Sequence, residues 1–181
     1  MILILGKGTL ANSLQQLYPE ATLVGKPEYD FSSQTDCDKL ISTYDPEIII
    51  NTVGVGVSSD IWNILTTNYV SAVYLTIGFY KKMKQGQIIN VSSASAIWTS
   101  WPDITDERLA YNLSKESLTN FGRHFNRKIV DNDNNTTITT VEIGKFASKL
   151  NDWQSGMAVE KAVQVIHDCI ENPCQQITVV R

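Results

Sequence analysis

The chain has 181 residues, enough for one domain with a full hydrophobic core and too few for two. Its 15 Lys/Arg against 19 Asp/Glu leave a formal charge of -4 with no basic run, which argues against a nucleic-acid partner. Three cysteines, Cys37, Cys169 and Cys174, show neither C-x-x-C spacing nor a disulfide framework and fit reduced thiols in the cytoplasm.

Met1 leads into Ile2-Leu3-Ile4-Leu5, too few apolar residues for a signal peptide or a membrane span, but what a parallel strand buried on both faces needs. Gly6-Lys7-Gly8-Thr9-Leu10-Ala11 follows, and Leu10, Leu14 and Leu17 carry a helical period up to Pro19. Strand, glycine turn and helix give G-x-G-x-x-[GA] its meaning as a dinucleotide site. Gly6 permits the turn, Gly8 lets backbone approach a pyrophosphate, and Ala11 packs helix on strand. The alternative is an ordinary tight turn.

Thr22-Leu23-Val24-Gly25 reads as the second strand, and the acid that usually binds a ribose at its end is replaced by Gly25-Lys26. Lys7 and Lys26 can together meet a 2′-phosphate, which favours NADP(H) and leaves NAD(H) second; as bare surface lysines they favour neither. Asp30 follows too soon for a crossover helix, and either contacts an adenine or caps a turn.

A short helix over 36 to 44 precedes Glu47-Ile48-Ile49-Ile50-Asn51, a buried strand that runs into Thr52-Val53-Gly54-Val55-Gly56. From 60 to 83, Ile61, Leu65, Tyr69, Ala72, Leu75, Phe79 and Met83 predict one long helix, with Asn68 inside it. Gln87-Ile88-Ile89-Asn90-Val91 predicts a third buried strand, whose carboxyl end, Ser92-Ser93, faces the crevice where open α/β sheets bind ligands. Trp98 and Trp101 either line a pocket or pack under a loop.

A helix from 111 to about 129 opens on Tyr111-Asn112-Leu113-Ser114-Lys115, which sets a phenol and an ammonium one turn apart on one face. A cation near a phenol favours the phenolate and makes it a better acid near neutrality, as carbonyl reduction requires. Residues 131 to 142 match part of a calcium loop, but Thr136 stands where its glycine belongs, so a surface turn and a strand ending at Ile143-Gly144 are expected. A helix over 157 to 171 and a strand over 176 to 180 complete the pattern, and no metal site is read from His124 or His167.

The motifs Gly6-x-Gly8-x-x-Ala11, Asp30, Asn51-Thr52-Val53-Gly54, Asn68, Ser92-Ser93, Tyr111-x-x-x-Lys115 and Ile143-Gly144 stand in the order of the short-chain dehydrogenase/reductase family. The chain resembles that family over nearly its whole length. The resemblance implies an α/β, Rossmann-type doubly wound, mainly parallel sheet flanked by helices, in a single domain over 1–181. It implies that Tyr111 is the catalytic acid, that Lys115 lowers its pKa and holds the nicotinamide ribose, that Ser93 hydrogen-bonds the substrate oxygen, and that Asn68 holds a relay water. The remaining cofactor contacts fall on Gly6, Lys7, Gly8, Leu10, Ala11, Lys26, Asp30, Asn51, Gly54, Ile143 and Gly144.

The chain departs from the family's pattern in four places. The glycine loop is short and ends in Ala11, which is similar to sugar-nucleotide reductases and epimerases. Asn-Thr-Val-Gly and Ile-Gly replace Asn-Asn-Ala-Gly and Pro-Gly, and the stretch after Gly144 is cut to about a dozen residues. The expectation is a cytoplasmic NADP(H)-dependent oxidoreductase acting on a small carbonyl/alcohol pair; a sugar-nucleotide enzyme and a non-catalytic cofactor sensor are its rivals. A homodimer through the helices over 60 to 83 and 111 to 129 is expected from the family's usual pairing surface, with Trp62, Tyr74, Phe121 and Phe125 as its aromatics.

Overall fold

The computed structural model describes residues 1–57, 59–96, 105–129, 134–146, 148, 156–173 and 178–180. Strands β1 (Ile2–Leu5), β2 (Thr22–Val24), β3 (Ile48–Asn51), β4 (Gln85–Ser93), β5 (Asn135–Ile143) and β6 (Thr178–Val180) form one parallel sheet in the order β2-β1-β3-β4-β5-β6. Helices α1 (Thr9–Leu17), α2 (Gln34–Thr43), α3 (Ile61–Leu65), α4 (Ser71–Lys82), α5 (Asp106–Ile129) and α6 (Val159–Glu171) cover it. None of the described helices is long and apolar enough to cross a membrane.

Continuous apolar strands are what a sheet covered on both faces demands, because successive side chains point to opposite sides. Leu3, Leu5, Ile49 and Ile88 pack in one cluster with Leu40 of α2, Leu75 and Phe79 of α4 and Phe125 of α5. Ile4, Ile50, Ile89 and Val141 pack in the other with Leu10 and Leu14 of α1 and Ala162 and Ile166 of α6. The chain leaves β1 toward β2 and returns across it to β3, so the strand order reverses between β1 and β3. Ligands of open α/β sheets bind at the carboxyl ends of strands flanking such a reversal.

Two predicted helices differ from the structure. The single rod expected over 60 to 83 is interrupted at Thr66–Val70 by a π-helical segment, marked by the Ser71 N–H donating to the Thr66 carbonyl five residues back. The extra residue turns Ile61 out to solvent and brings Ile64, Thr67 and Asn68 inward. Helix α5 begins at Asp106, five residues before Tyr111. Thr105 Oγ1 accepts from the Arg108 N–H at 3.2 Å, while Asp106 and Glu107 at the start and Arg127 and Lys128 at the end suit the helix dipole.

The expected aromatic surplus on these helices is also corrected in part. Phe125 is buried, edge-on to Tyr80 at 5.2 Å, and Phe121 packs beside it, whereas Trp62 and Tyr74 are exposed.

Candidate active site

The nucleotide end of the crevice is built by the β1–α1 turn. Gly6 has φ 105°, and a Cβ there would lie 2.7 Å from Thr52 Oγ1, so only glycine fits without strain. Thr52 is fixed in turn, its N–H and hydroxyl both donating to the Leu5 carbonyl at 2.9 and 2.8 Å. Gly8 precedes α1 with no side chain capping the helix, and a Cβ built on it meets nothing within 4 Å. An uncapped helix start with open room beside Gly8 suits an anion. Leu10 and Ala11 are buried against the sheet, so any part they take in holding a ligand falls to their backbone.

At the end of β2 the two lysines are already engaged. Lys7 Nζ lies 2.5 Å from Glu28 Oε2, and Lys26 Nζ lies 2.9 Å from Asp30 Oδ2. Asp30 also accepts from the Ser32 hydroxyl and N–H at 2.7 and 2.9 Å. Those Ser32 bonds, followed by Lys26, hold its carboxyl down at about 2. Glu28, which sequence reasoning did not single out, is held below the usual carboxylate range chiefly by Lys7. The signal available was a carboxylate close after β2, but nothing local indicated that it would reach back 21 residues.

Asn51 is buried with its amide spent inside the protein. Nδ2 donates to Asn90 Oδ1 at 3.1 Å and Oδ1 accepts from the Val53 N–H at 3.1 Å. It thereby shapes the turn that carries Gly54 past the crevice. Asn68, 0 % exposed, grips the same loop through both backbone polar groups of Val55: Oδ1 accepts from the Val55 N–H at 2.7 Å and Nδ2 donates to the Val55 carbonyl at 3.0 Å. Its second N–H points to Ser114 Oγ at 3.4 Å, and that hydroxyl donates to the Tyr111 carbonyl at 2.7 Å.

Helix α5 and the end of β4 bring the reactive groups together. The Ser93 and Tyr111 hydroxyls are hydrogen-bonded to each other. Ser92 points instead into α5, donating to the Lys115 carbonyl at 2.9 Å and accepting from the Thr119 hydroxyl at 3.0 Å. The Lys115 ammonium donates to the Val91 carbonyl at 3.1 Å, and a Cβ on Gly54 would lie 3.5 Å from both Lys115 Nζ and Asn68 Oδ1. Ile143 and Gly144 end the neighbouring strand beside Ser93, with the Ile143 side chain turned into the core.

Burial pushes the Tyr111 phenol above its ordinary value, and the bond from Ser93, then the Arg108 guanidinium, pull against it. Burial drives the Lys115 ammonium the other way, from 10.5 down to about 8. The phenol is thus a weaker acid than an ordinary tyrosine and keeps its proton near neutrality. The ammonium is engaged with the sheet backbone, and the cation acting on the phenol in this arrangement is Arg108.

Among the described residues no three His, Cys, Asp or Glu side chains are grouped to hold a metal ion. Trp98 and Trp101, expected either in a pocket or under a loop, lie outside the described residues, as do 131–133 of the partial calcium match. Residues 135–142 of that match lie in β5. Glu142 in this strand is 1 % exposed with Oε1 unpartnered.

No family model matches the chain, and no curated protein matches it in sequence. Solved structures do match. A 3-alpha-hydroxysteroid dehydrogenase from Pseudomonas sp., complexed with NADH, superposes with a TM-score of 0.82 at 16 % identity, over 99 % of this chain and 94 % of that one. The chain has the short-chain dehydrogenase/reductase fold. The same fold is seen in a short-chain dehydrogenase/reductase from Vibrio parahaemolyticus, with TM-score 0.78, 20 % identity and coverage of 99 % and 96 %. A short-chain dehydrogenase from Burkholderia cenocepacia in complex with NADP gives 0.81 and 16 %, over 99 % and 87 %. At these identities the likeness is one of architecture, and the chemistry must be argued from the residues.

Proposed function

We propose that the protein is an NADP(H)-dependent oxidoreductase that interconverts a small carbonyl compound and its alcohol. The observation that carries this reading is the Ser93–Tyr111 hydrogen bond at the carboxyl end of β4, on the same edge of the sheet as the glycine turn after β1 and beside a buried lysine. When bound, the cofactor supplies or takes up hydride. Tyr111, held protonated by burial, donates its proton to the substrate oxygen, and the Ser93 hydroxyl steadies the charge that develops there. Lys115 supplies positive charge beside Gly54, where the nicotinamide ribose of a bound cofactor would lie, and Asn68 fixes the Val55 loop that borders this space and orders the proton path. Gly6, Gly8 and the start of α1 hold the pyrophosphate; Lys7 and Lys26 favour a 2′-phosphate, with NAD(H) the second choice. Asp30, Asn51, Ile143 and Gly144 border the remainder of the site.

A second reading, a cofactor-binding protein without turnover, draws on one observation: Arg108, not Lys115, is the cation that acts on the Tyr111 phenol. One experiment separates the two. Wild type and Tyr111→Phe are titrated with NADPH and NADH by nicotinamide fluorescence, then assayed against a carbonyl panel that includes sugar nucleotides. Catalysis predicts wild-type turnover that falls about 10²- to 10⁴-fold in Tyr111→Phe with nucleotide affinity preserved. Equal turnover in the two proteins sinks the role of Tyr111, and nucleotide binding without any turnover supports the sensor.

The assembly we propose is a homodimer. Trp62 (78 % exposed), Val70 and Tyr74 lie along α3, the π segment and α4, with Leu109 and Leu113 on the adjoining α5. Apolar side chains gathered this way on packed helices favour association. Cys37 and Cys169, both buried and neither in a disulfide, fit a cytoplasmic protein.

A further inference from the structure

We propose that Arg108 selects the substrate of this site: its guanidinium, one helix turn ahead of Tyr111, receives a carboxylate carried close to the reacting carbonyl, so that the substrate class is a small oxo acid and the corresponding hydroxy acid. This rests on the oxidoreductase reading above and deepens it by naming the group that the reacting compound carries.

Arg108, Tyr111 and Lys115 follow one another on α5 at spacings of three and four residues and so share a face. The backbone of Arg108 is fixed in the first turn by its N–H, which donates to Thr105 Oγ1. Helical side chains lean toward the N-terminus, so the Tyr111 ring lies over the turn that carries Arg108. Arg108, Tyr111 and Ser93 are each half-buried, whereas Lys115 is 4 % exposed. The open end of the stripe is therefore Arg108, and its closed end is Lys115.

The two cations flanking the phenol are placed for different tasks. Lys115 is turned inward, donating to the Val91 carbonyl beside Gly54. Of the charged side chains in the first turn, Asp106, Glu107 and Arg108, only Arg108 acts on the phenol. A carbonyl oxygen that accepts from Tyr111 and Ser93 thus has a positive field on its outer side. A guanidinium presents a planar fork that a single carboxylate fills with parallel hydrogen bonds. With the carboxylate on Arg108 and the carbonyl oxygen on the hydroxyls, the carbon between them is held in one orientation. In reduction that carbon gains hydride from the reduced nicotinamide and the oxygen gains the Tyr111 proton, giving the hydroxy acid and oxidised cofactor. The phenol is reprotonated from solvent, and the carboxylate is unchanged.

The test uses the full chain as wild type, Arg108→Gln and Arg108→Lys, assayed with NADPH and NADH on short oxo acids against their methyl esters, with phosphorylated ketones as a further arm. The phenol loses a cation in Arg108→Gln, so ester turnover shifts as well, and the quantity read is the ratio of kcat/KM for acid to ester. That ratio is expected to fall about 10²-fold in Arg108→Gln and to recover in part in Arg108→Lys, which keeps the charge without the fork. Binding is read separately by the fluorescence of bound nicotinamide. Butyrate, which has no carbonyl to reduce, should bind wild type more tightly than butyramide and lose that advantage in Arg108→Gln. An acid-to-ester ratio unchanged in Arg108→Gln, a wild-type preference for esters or phosphorylated ketones, or butyrate binding indifferent to Arg108 would overturn the role of Arg108 and leave the oxidoreductase reading standing. Absence of turnover with acids, esters and ketones alike would overturn both.

Discussion

Lys115→Met is expected to make the protein more stable at neutral pH while removing function, and the size of the effect can be worked from the burial of the ammonium. Lys115 is 4 % exposed, and its pKa falls from 10.5 to about 8. At about 1.4 kcal/mol per pH unit, keeping the charge inside the folded protein costs on the order of 3 kcal/mol at pH 7. Methionine keeps the stem and drops the charge, but it also loses the bond to the Val91 carbonyl, a contribution of about 1 kcal/mol. The net expectation is a gain of about 2 kcal/mol for the variant near neutrality.

The pH dependence follows from linkage. The folded pKa lies below the unfolded one, so between about 8 and 10.5 the unfolded chain holds a proton that the folded chain has released. Wild-type stability therefore rises with pH through that window, and the variant lacks this contribution. Urea unfolding of both proteins, followed by tryptophan fluorescence from about pH 7 to about pH 10.5, should show the gap close and then reverse. Two stability curves that stay parallel across this range would refute the claim that the charged amine is buried at a cost.

Gly6→Ala forces a side chain into φ 105° and against Thr52 Oγ1, and should cost about 1–3 kcal/mol; an unchanged melting temperature would contradict the geometry. Asn68→Ala strips both partners from the Val55 peptide groups in a buried setting and should cost roughly 2–3 kcal/mol. Hydrogen exchange at the Val55 amide should accelerate together with the loss. Trp62→Glu combined with Leu113→Glu should turn a dimer into a folded monomer by light scattering; a wild type already monomeric at micromolar concentration removes the proposed interface.

The sheet was legible because its strands are unbroken runs such as Ile2-Leu3-Ile4-Leu5 and Ile48-Ile49-Ile50, which suit burial on both faces. The glycine turn was legible for a related reason: Gly6 and Gly8 are local demands of backbone, readable from their neighbours. Helix α5 starts ahead of the Tyr111 motif because Thr105-Asp106-Glu107 is itself a helix-start pattern, a hydroxyl followed by two acids. The state of Lys7 and Lys26 was not legible at all. Their partners are set by how the loop after β2 folds back, and a cation's availability depends on that tertiary contact.

The π segment at Thr66–Val70 makes the number of residues in this rod a constraint in itself. A helix advances about 100° per residue, so deleting one residue there would close the wide turn and rotate α3 by that angle relative to α4. Asn63 would move into the buried place of Ile64 and displace that side chain from the core, although no side chain near the reacting groups had been replaced. A surface loop of the same length would absorb the loss at little cost. Substitutions that preserve length should therefore be accepted at the exposed position Val70, while a shift of a single residue anywhere between Thr66 and Val70 should be as damaging as the loss of Tyr111.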